Sequence, residues 1–145
     1  MDFFDALHTS ASGLSAQRLR MNLISSNLAN IHTTRTPQGG PYKRKDAIFE
    51  AEPFQKTFKD VLKSGGEKGV SEVKVAGIIE DHAPPIMKYD PKHPDADEKG
   101  YVAMPNISLM EETVNMITAA RSYEANIAAV KASKSMALKA LEIGK

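Results

Sequence analysis

The stretch LMEETVNMITAARSYEANIAAVKASKSMALKAL, at residues 109–141, decides the fold of this chain. Its apolar positions alternate in steps of four and three, which is the spacing of a coiled-coil seam. One set recurs every seven residues and comprises Leu109, Met116, Tyr123, Val130 and Ala137. The second set lies four residues after the first and comprises Thr113, Ala120, Ile127, Lys134 and Leu141. The spacing predicts one long helix that needs a neighbour along its length.

Capping residues mark the limits of this helix. Ser108 and Glu111 form an S-x-x-E capping box, which predicts a start near residue 106 or 108. Gly144 predicts an end at about Glu142. Such a helix spans ~50 Å at 1.5 Å per residue, which is more than the middle of the chain could cover.

A second helix is predicted at the other end of the chain, from about Asp2 to Ile31. Its apolar stripe recurs every seven residues and comprises Leu7, Leu14, Met21 and Leu28. Only Gly13 interrupts the helix before Asn30, which suits a left-handed C-cap. Because the stripe is narrow, the helix is poorly stabilised alone. We therefore expect the two terminal helices to pack as an antiparallel coiled coil.

Polar residues within the two helices leave alternatives open. Arg18 and Lys134 lie on seam positions, where they either extend past the seam edge into water or fix the pairing register. Five asparagines in the helices either form side-chain hydrogen bonds between chains or are simply exposed. They are Asn22, Asn27, Asn30, Asn115 and Asn126.

A small β-rich segment is predicted between the helices. Strands are expected over residues 42–50, 73–79, 86–89 and 101–104, with a β-bulge at Gly77. Residues 53–62 suit a short helix, and residues 63–69 a flexible loop. The fold class is thus mainly α with a small β segment. The chain divides into an N-terminal helix (1–34), a β-rich middle (35–105) and a C-terminal helix (106–145).

Composition narrows the class of protein. The net charge is +1, so there is no general electrostatic attraction to nucleic acid or to an anionic membrane. The absence of cysteine excludes disulfides and thiolate metal sites. The sequence contains neither a stretch of ~20 apolar residues that would span a bilayer nor an N-terminal cleavable signal. Such a chain suits the cytoplasm, or an export machine that removes no leader.

Chemical motifs are weak. Asp95, Asp97 and Gly100 resemble the opening of a calcium loop, but the cation Lys99 stands where an oxygen ligand belongs, and Asn106 stands in place of the bidentate Glu. His82 and His93 fit no zinc spacing. The basic run at residues 43–45 indicates a solvated face or a salt bridge to a neighbouring subunit. We therefore expect no catalytic, cofactor-binding or metal site.

Four strings resemble a known family. SSNLAN at residues 25–30 and ARSYEAN at residues 120–126 resemble the terminal signatures of bacterial flagellar rod and hook proteins. GGPYKRK at residues 39–45 and YDPKHPDADEKGYVAMPN at residues 89–106 are similar to the C-type flagellar basal-body rod proteins of the proximal rod. The resemblance covers the chain from end to end.

The resemblance carries implications for function. Such proteins leave the cell through the flagellar type III export apparatus without a cleaved signal peptide. They assemble in the periplasm into a helical tube, with the terminal helices in an inner coiled-coil layer and the middle segment outside it. Partners would be other flagellar rod proteins, together with adaptor and export-gate proteins at the rod base. No small-molecule substrate and no nucleic acid is implied.

The hypothesis from the sequence is a non-enzymatic structural subunit that transmits torque along the rod. Its subunit-packing residues would be Leu7, Leu14, Met21, Leu28, Met116, Tyr123, Ile127, Val130 and Leu141. One rival is a helical nucleic-acid-binding regulator, which the near-neutral charge disfavours. The other is a small metal-dependent hydrolase that uses His82, His93 and Asp95.

Overall fold

The computed structural model describes residues 3–53 and 71–143. It contains two long helices, with two small antiparallel sheets between them in the sequence. The elements in chain order are α1 (Phe3–Ala29), β1 (Lys45–Pro53), β2 (Ser71–Glu80), β3 (Ile86–Tyr89), β4 (Tyr101–Met104) and α2 (Leu109–Ile143). The predicted long helices and short strands are confirmed. The predicted short helix and the glycine-containing loop lie mainly within residues 54–70, outside the described residues.

The end of α1 differs from the prediction. None of the described non-glycine residues has a positive φ, so Asn30 does not form a left-handed cap. Instead, the Asn30 side chain donates to the carbonyl of Ser26 at 2.8 Å, and its Oδ1 accepts from the Thr33 hydroxyl at 3.1 Å. The Ser26 carbonyl thus accepts both the backbone amide of Asn30, at 3.1 Å, and its side chain, which closes the last turn of the helix.

The start of α2 follows the predicted cap. The amide of Glu111 donates to the Ser108 hydroxyl at 3.4 Å, and the amide of Glu112 donates to the Ser108 carbonyl at 3.0 Å. The helix then continues for 35 residues. Because α1 has only 27 residues, α2 is the longer of the two by about two turns.

β1 and β2 pair from Lys45 opposite Glu80 to Pro53 opposite Ser71. The register shifts between Ile48 and Phe49, opposite Gly77 and Val75, so the bulge predicted at Gly77 is confirmed. This hairpin lies along α1, where the Ser12 hydroxyl accepts the amide of β2 residue Val73 at 3.0 Å. One side of α1 is therefore covered by the hairpin.

β3 and β4 form the second sheet, joined by a tight polar loop. The loop closes at Gly100, where φ is +81° and a Cβ would lie 3.0 Å from the Tyr89 ring. Asp97 Oδ1 accepts the amides of Lys99 and Tyr101 at 2.9 and 2.7 Å. Glycine is required here because other residues rarely adopt this φ, and because the site has no room for a Cβ atom.

The helices touch through small and polar residues. A Cβ built on Gly13 would lie 3.0 Å from Nδ2 of Asn126, and Asn27 bonds to Glu112. Gly13, early in α1, thus meets Asn126, late in α2, whereas Asn27, late in α1, meets Glu112, early in α2. Among the residues that the structure describes, the buried apolar side chains are Ala16, Ile24, Val102, Ile107 and Ala119.

Candidate functional site

A buried polar cluster joins both helices to β1, and its centre is Asn27, which is fully buried. The Asn27 amide group donates to the Lys45 carbonyl at 2.9 Å and to Glu112 Oε2 at 3.0 Å. Its Oδ1 accepts the Lys45 amide at 2.9 Å and the Tyr42 hydroxyl at 3.2 Å. All four hydrogen-bonding positions of this side chain are satisfied. Asn27 therefore binds the backbone of Lys45 as a neighbouring strand would.

Glu112 supplies the negative charge of the cluster and is 1% exposed. Arg44 Nε donates to Glu112 Oε1 at 2.7 Å, and Arg44 Nη2 reaches Asp46 at 3.3 Å. The hydrogen bond to Glu112 raises the pKa of Arg44 above its usual value, although burial opposes the shift. Both carboxylate oxygens of Glu112 are bonded, so the buried charge is compensated.

We call this set, Asn27, Tyr42, Arg44 and Glu112, the polar node. Asn27 comes from α1, Glu112 from the first turn of α2, and the other two from the segment that leads into β1. The node therefore fixes three parts of the chain to one another at one end of the helix pair. Deleting any member leaves a buried group without its partner, which is costly.

The structure corrects the interpretation of the basic run. Arg44 and Lys45 bond within their own chain, since Lys45 Nζ lies 3.6 Å from Glu80 and 5.9 Å from the centre of the Tyr42 ring. Lys43 is the exposed residue of the run, whereas Arg44 and Lys45 are half-buried. The sequence did not predict the polar node. Its signals were weak, since Asn27 is one of five helical asparagines and Glu112 is a glutamate close to the cap at Ser108.

The chain leaves more surface exposed than a compact protein of its mass. Its accessible area is 10693 Å², whereas a compact monomer of 15.8 kDa exposes roughly 7,300 Å². The exposed large apolar side chains on α2 are Leu109, Met110, Val114, Ile117, Met136, Leu138, Leu141 and Ile143. Surfaces of this kind mark contacts with other proteins.

The residues predicted to pack between subunits lie at the edges of the helix pair. Those of α1 are all half-buried, namely Leu7, Leu14, Met21 and Leu28. Those of α2 that are half-buried are Met116, Tyr123, Ile127 and Val130. Leu141 is 71% exposed. The fully buried helical positions are instead Ala16, Ile24, Asn27, Glu112 and Ala119.

The stripe of α1 points away from the β1–β2 hairpin. Successive helical residues are about 100° apart, so Leu14 and Met21 lie roughly 160° and 180° around the helix from Ser12. Ser12 holds β2. One apolar side of α1 is thus covered by neither sheet β1–β2 nor the line of contact with α2.

Within residues 3–53 and 71–143 the structure offers no group of three side chains that could hold a metal ion. Asp95 accepts the Thr34 hydroxyl at 2.8 Å, and His93 Nδ1 accepts the amide of Asp95 at 3.1 Å. Asp97 serves the turn at Gly100. Neither described helix has a segment apolar enough to cross a bilayer.

Family models match both ends of the chain. Residues 7–35 match the model described as flagella basal body rod protein. Residues 98–143 match the C-terminal model of the flagellar basal body rod FlgEFG proteins. These two segments include most of α1, all of α2 and the predicted terminal signatures.

Whole-chain relatives agree with the family models. The chain is 46% identical to the flagellar basal-body rod protein FlgC of Borreliella burgdorferi, over 99% of this chain and 98% of the relative. It is 44% identical to FlgC of Bacillus subtilis over all of both chains. It is 41% identical to FlgC of Salmonella typhimurium over 99% of each.

Proposed function

The chain belongs to the FlgC family of flagellar basal-body rod proteins, and on that premise we propose how it builds the rod. It is a structural subunit of the flagellar basal body, and membership of this family implies no enzymatic activity. We propose that α1 and α2 form an antiparallel coiled coil in the inner layer of a helical tube. The tube is the proximal rod, which transmits torque from the motor to the hook.

The observation that carries this proposal is that the described part of the chain buries little apolar surface in a core of its own. Buried apolar side chains are few, and large apolar residues of α2 remain exposed. A subunit that repeats along a helical array can bury such residues against its neighbours, because the contacts are heterologous and do not close. Residues 1–34 and 106–145 would then form the inner layer, and residues 35–105 would lie outside it.

Helix geometry favours one side of the pair as a packing surface. In an antiparallel pair, some residues of each helix face the other helix. The residue that follows each of them in the sequence lies to one side of the contact, and this is the same side for both helices. Leu14 and Leu28 follow Gly13 and Asn27, and Ile127 follows Asn126. The predicted packing residues of the two helices would therefore form one surface, which we call the apolar flank: Leu7, Leu14, Met21, Leu28, Met116, Tyr123, Ile127, Val130 and Leu141.

Partners of the apolar flank would be copies of this chain and other rod proteins. At the base of the rod, adaptor and export-gate proteins would take their place. Placement in the periplasm and export without a cleaved signal peptide are part of the same proposal, and the terminal strings at residues 25–30 and 120–126 support them. Nucleic-acid binding has no support among the relatives described above, which are named as rod proteins.

A charge placed on the apolar flank tests the proposal. Ile127→Asp is expected to abolish incorporation into basal bodies and swimming, because an unpaired carboxylate would be buried between subunits. The matched control is Ala128→Asp, whose exposed position lies between Glu124 and Lys131 on the face away from α1. Both variants would replace the wild-type chain in its own host.

The readouts are swimming in soft agar, the amount of the chain in isolated basal bodies, and its amount in whole cells. Loss of incorporation for Ile127→Asp alone, with a soluble chain present in cells, supports the proposal. Normal swimming of the Ile127→Asp strain contradicts it.

A further inference from the structure

The contact between α1 and α2 contains little that defines how far one helix is displaced along the other. Asn126 of α2 lies against Gly13 of α1. The α2 positions one heptad before and after Asn126 are Ala119, which is buried, and Ser133, which is half-buried. A displacement of one helix by seven residues would therefore place another small residue opposite Gly13. Packing at Gly13 alone discriminates weakly between these registers.

We propose that Asn27, through Glu112 and Lys45, fixes the axial register of α1 against α2 and attaches β1 at that register. Asn27 is thus a positioning residue for assembly, because it determines which residues of the two helices lie side by side on the subunit surface. This inference rests on the proposed pairing of the helices in the rod.

The chemistry of the polar node is specific to one register. In the observed register, Asn27 meets a carboxylate oxygen at 3.0 Å and both polar backbone groups of Lys45 at 2.9 Å. Displacing α2 by seven residues in one direction would bring the methyl group of Ala119 to Asn27. The hydrogen bond between Asn27 and Glu112 would be lost, and Glu112 would also move about 10 Å along the helix axis from Arg44, which would leave its carboxylate without both partners.

Attachment of β1 depends on the same side chain. The two hydrogen bonds with Lys45 join residues 18 apart in the chain, whereas the bond to Glu112 joins residues 85 apart. One amide group therefore sets both the start of the β1–β2 hairpin and the start of α2. A change of register would leave Asn27 bound to Lys45 but would separate Glu112 from both Asn27 and Arg44.

The absence of cysteine from the sequence allows a direct test by disulfide cross-linking. A Cβ on Gly13 would lie 3.4 Å from Cγ of Asn126, so side chains at these two positions meet across the helix pair, as the two cysteines of a disulfide must. Gly13→Cys with Asn126→Cys therefore reports the observed register. Gly13→Cys with Ala119→Cys, or with Ser133→Cys, reports a displacement by one heptad in either direction.

Each pair would be expressed in the full chain in its own host, and isolated basal bodies would be oxidised and analysed on non-reducing gels. An intrachain disulfide changes the mobility of the chain, whereas an interchain disulfide doubles its mass. With Asn27 present, we expect the observed-register pair to cross-link at least about tenfold more than either displaced pair, which corresponds to about 1.4 kcal/mol.

Asn27→Leu is expected to reduce that preference to below about threefold, because the apolar side chain fits any register of the seam. Asn22→Leu is the matched control, since Asn22 is exposed on the same helix, and it should leave the preference unchanged. An Asn27→Leu chain that keeps the full preference overturns the proposal.

Two further outcomes are decisive. If Asn27→Leu does not enter basal bodies, Asn27→Ser replaces it, and the cross-links of the chain in whole cells are measured as well. An observed-register pattern alone in those samples overturns the proposal, and a mixture of registers supports it. If the chain with Asn27 gives only interchain disulfides, the helix pairing itself fails, whereas the result for Ile127→Asp does not depend on register.

Discussion

Replacing Arg44 by methionine is expected to weaken incorporation of the chain into basal bodies by about 150-fold. Arg44 provides the cation that compensates Glu112, with Nε 2.7 Å from Oε1. Glu112 is 1% exposed, so water cannot take over that role. Methionine keeps much of the length of the side chain but leaves the buried carboxylate without a counter-charge.

The size of the effect follows from the contacts that survive. Removing one partner of a buried ion pair typically costs ~3–5 kcal/mol. Glu112 would keep the hydrogen bond from Asn27 at 3.0 Å, so the lower end of that range applies. A loss of about 3 kcal/mol changes an equilibrium constant roughly 150-fold. A guanidinium is protonated at every pH at which cells swim, and the hydrogen bond to Glu112 raises the pKa of Arg44 further.

A competition assay measures the effect. Variant and wild-type chains are expressed together, and peptides that distinguish them are quantified by mass spectrometry in basal bodies and in whole cells. Lys43→Met is the matched control, because it removes the same charge from an exposed neighbour. Adding Glu112→Gln to Arg44→Met should restore incorporation to within about tenfold of wild type, because no buried charge is left.

Two results would refute the reasoning about this ion pair. One is equal incorporation of the Arg44→Met and Lys43→Met chains. The other is a double variant that incorporates no better than Arg44→Met alone, since the defect would then arise from lost packing rather than from an uncompensated carboxylate.

Two further substitutions probe backbone and packing. Gly100→Ala should cost about 2 kcal/mol, because φ is +81° and a Cβ would lie 3.0 Å from the Tyr89 ring; faster cleavage at Lys99 by trypsin would reveal it. Gly39→Ala is its control, as φ there is +89° with open space around the Cβ. Ala119→Leu should reduce incorporation at a cost of ~1–3 kcal/mol, whereas the exposed control Ala129→Leu should not; equal incorporation of these two in the competition assay would contradict the helix contact.

Local signals explain how much of the fold was predictable. Heptad spacing and the cap at Ser108 predicted α2, and alternation with Gly77 predicted β2 and its bulge. These features depend on residues close together in the chain, and sequence patterns report such neighbours well. The cap at Asn30 was wrong in detail, because the side chain bonded to the preceding turn instead of the backbone turning left-handed.

The polar node was not predictable in the same way. Asn27 and Glu112 are 85 residues apart, and each has the spacing of an ordinary helical residue. Which of five asparagines is buried depends on where the β1–β2 hairpin packs, and that is a tertiary property. The charge of the basic run at residues 43–45 was also misleading, because the sequence does not show which acidic residues of the same chain pair with it.

The pairing of Asn27 with Lys45 also protects a sheet edge. The two backbone groups of Lys45 that bond to Asn27 are those that an incoming strand from another molecule would use. An open edge of this kind invites strand addition and aggregation. By occupying it with a side chain, α1 makes the first residue of β1 unavailable as a template, so crowded subunits meet through their helices and not through misdirected sheet growth at that point.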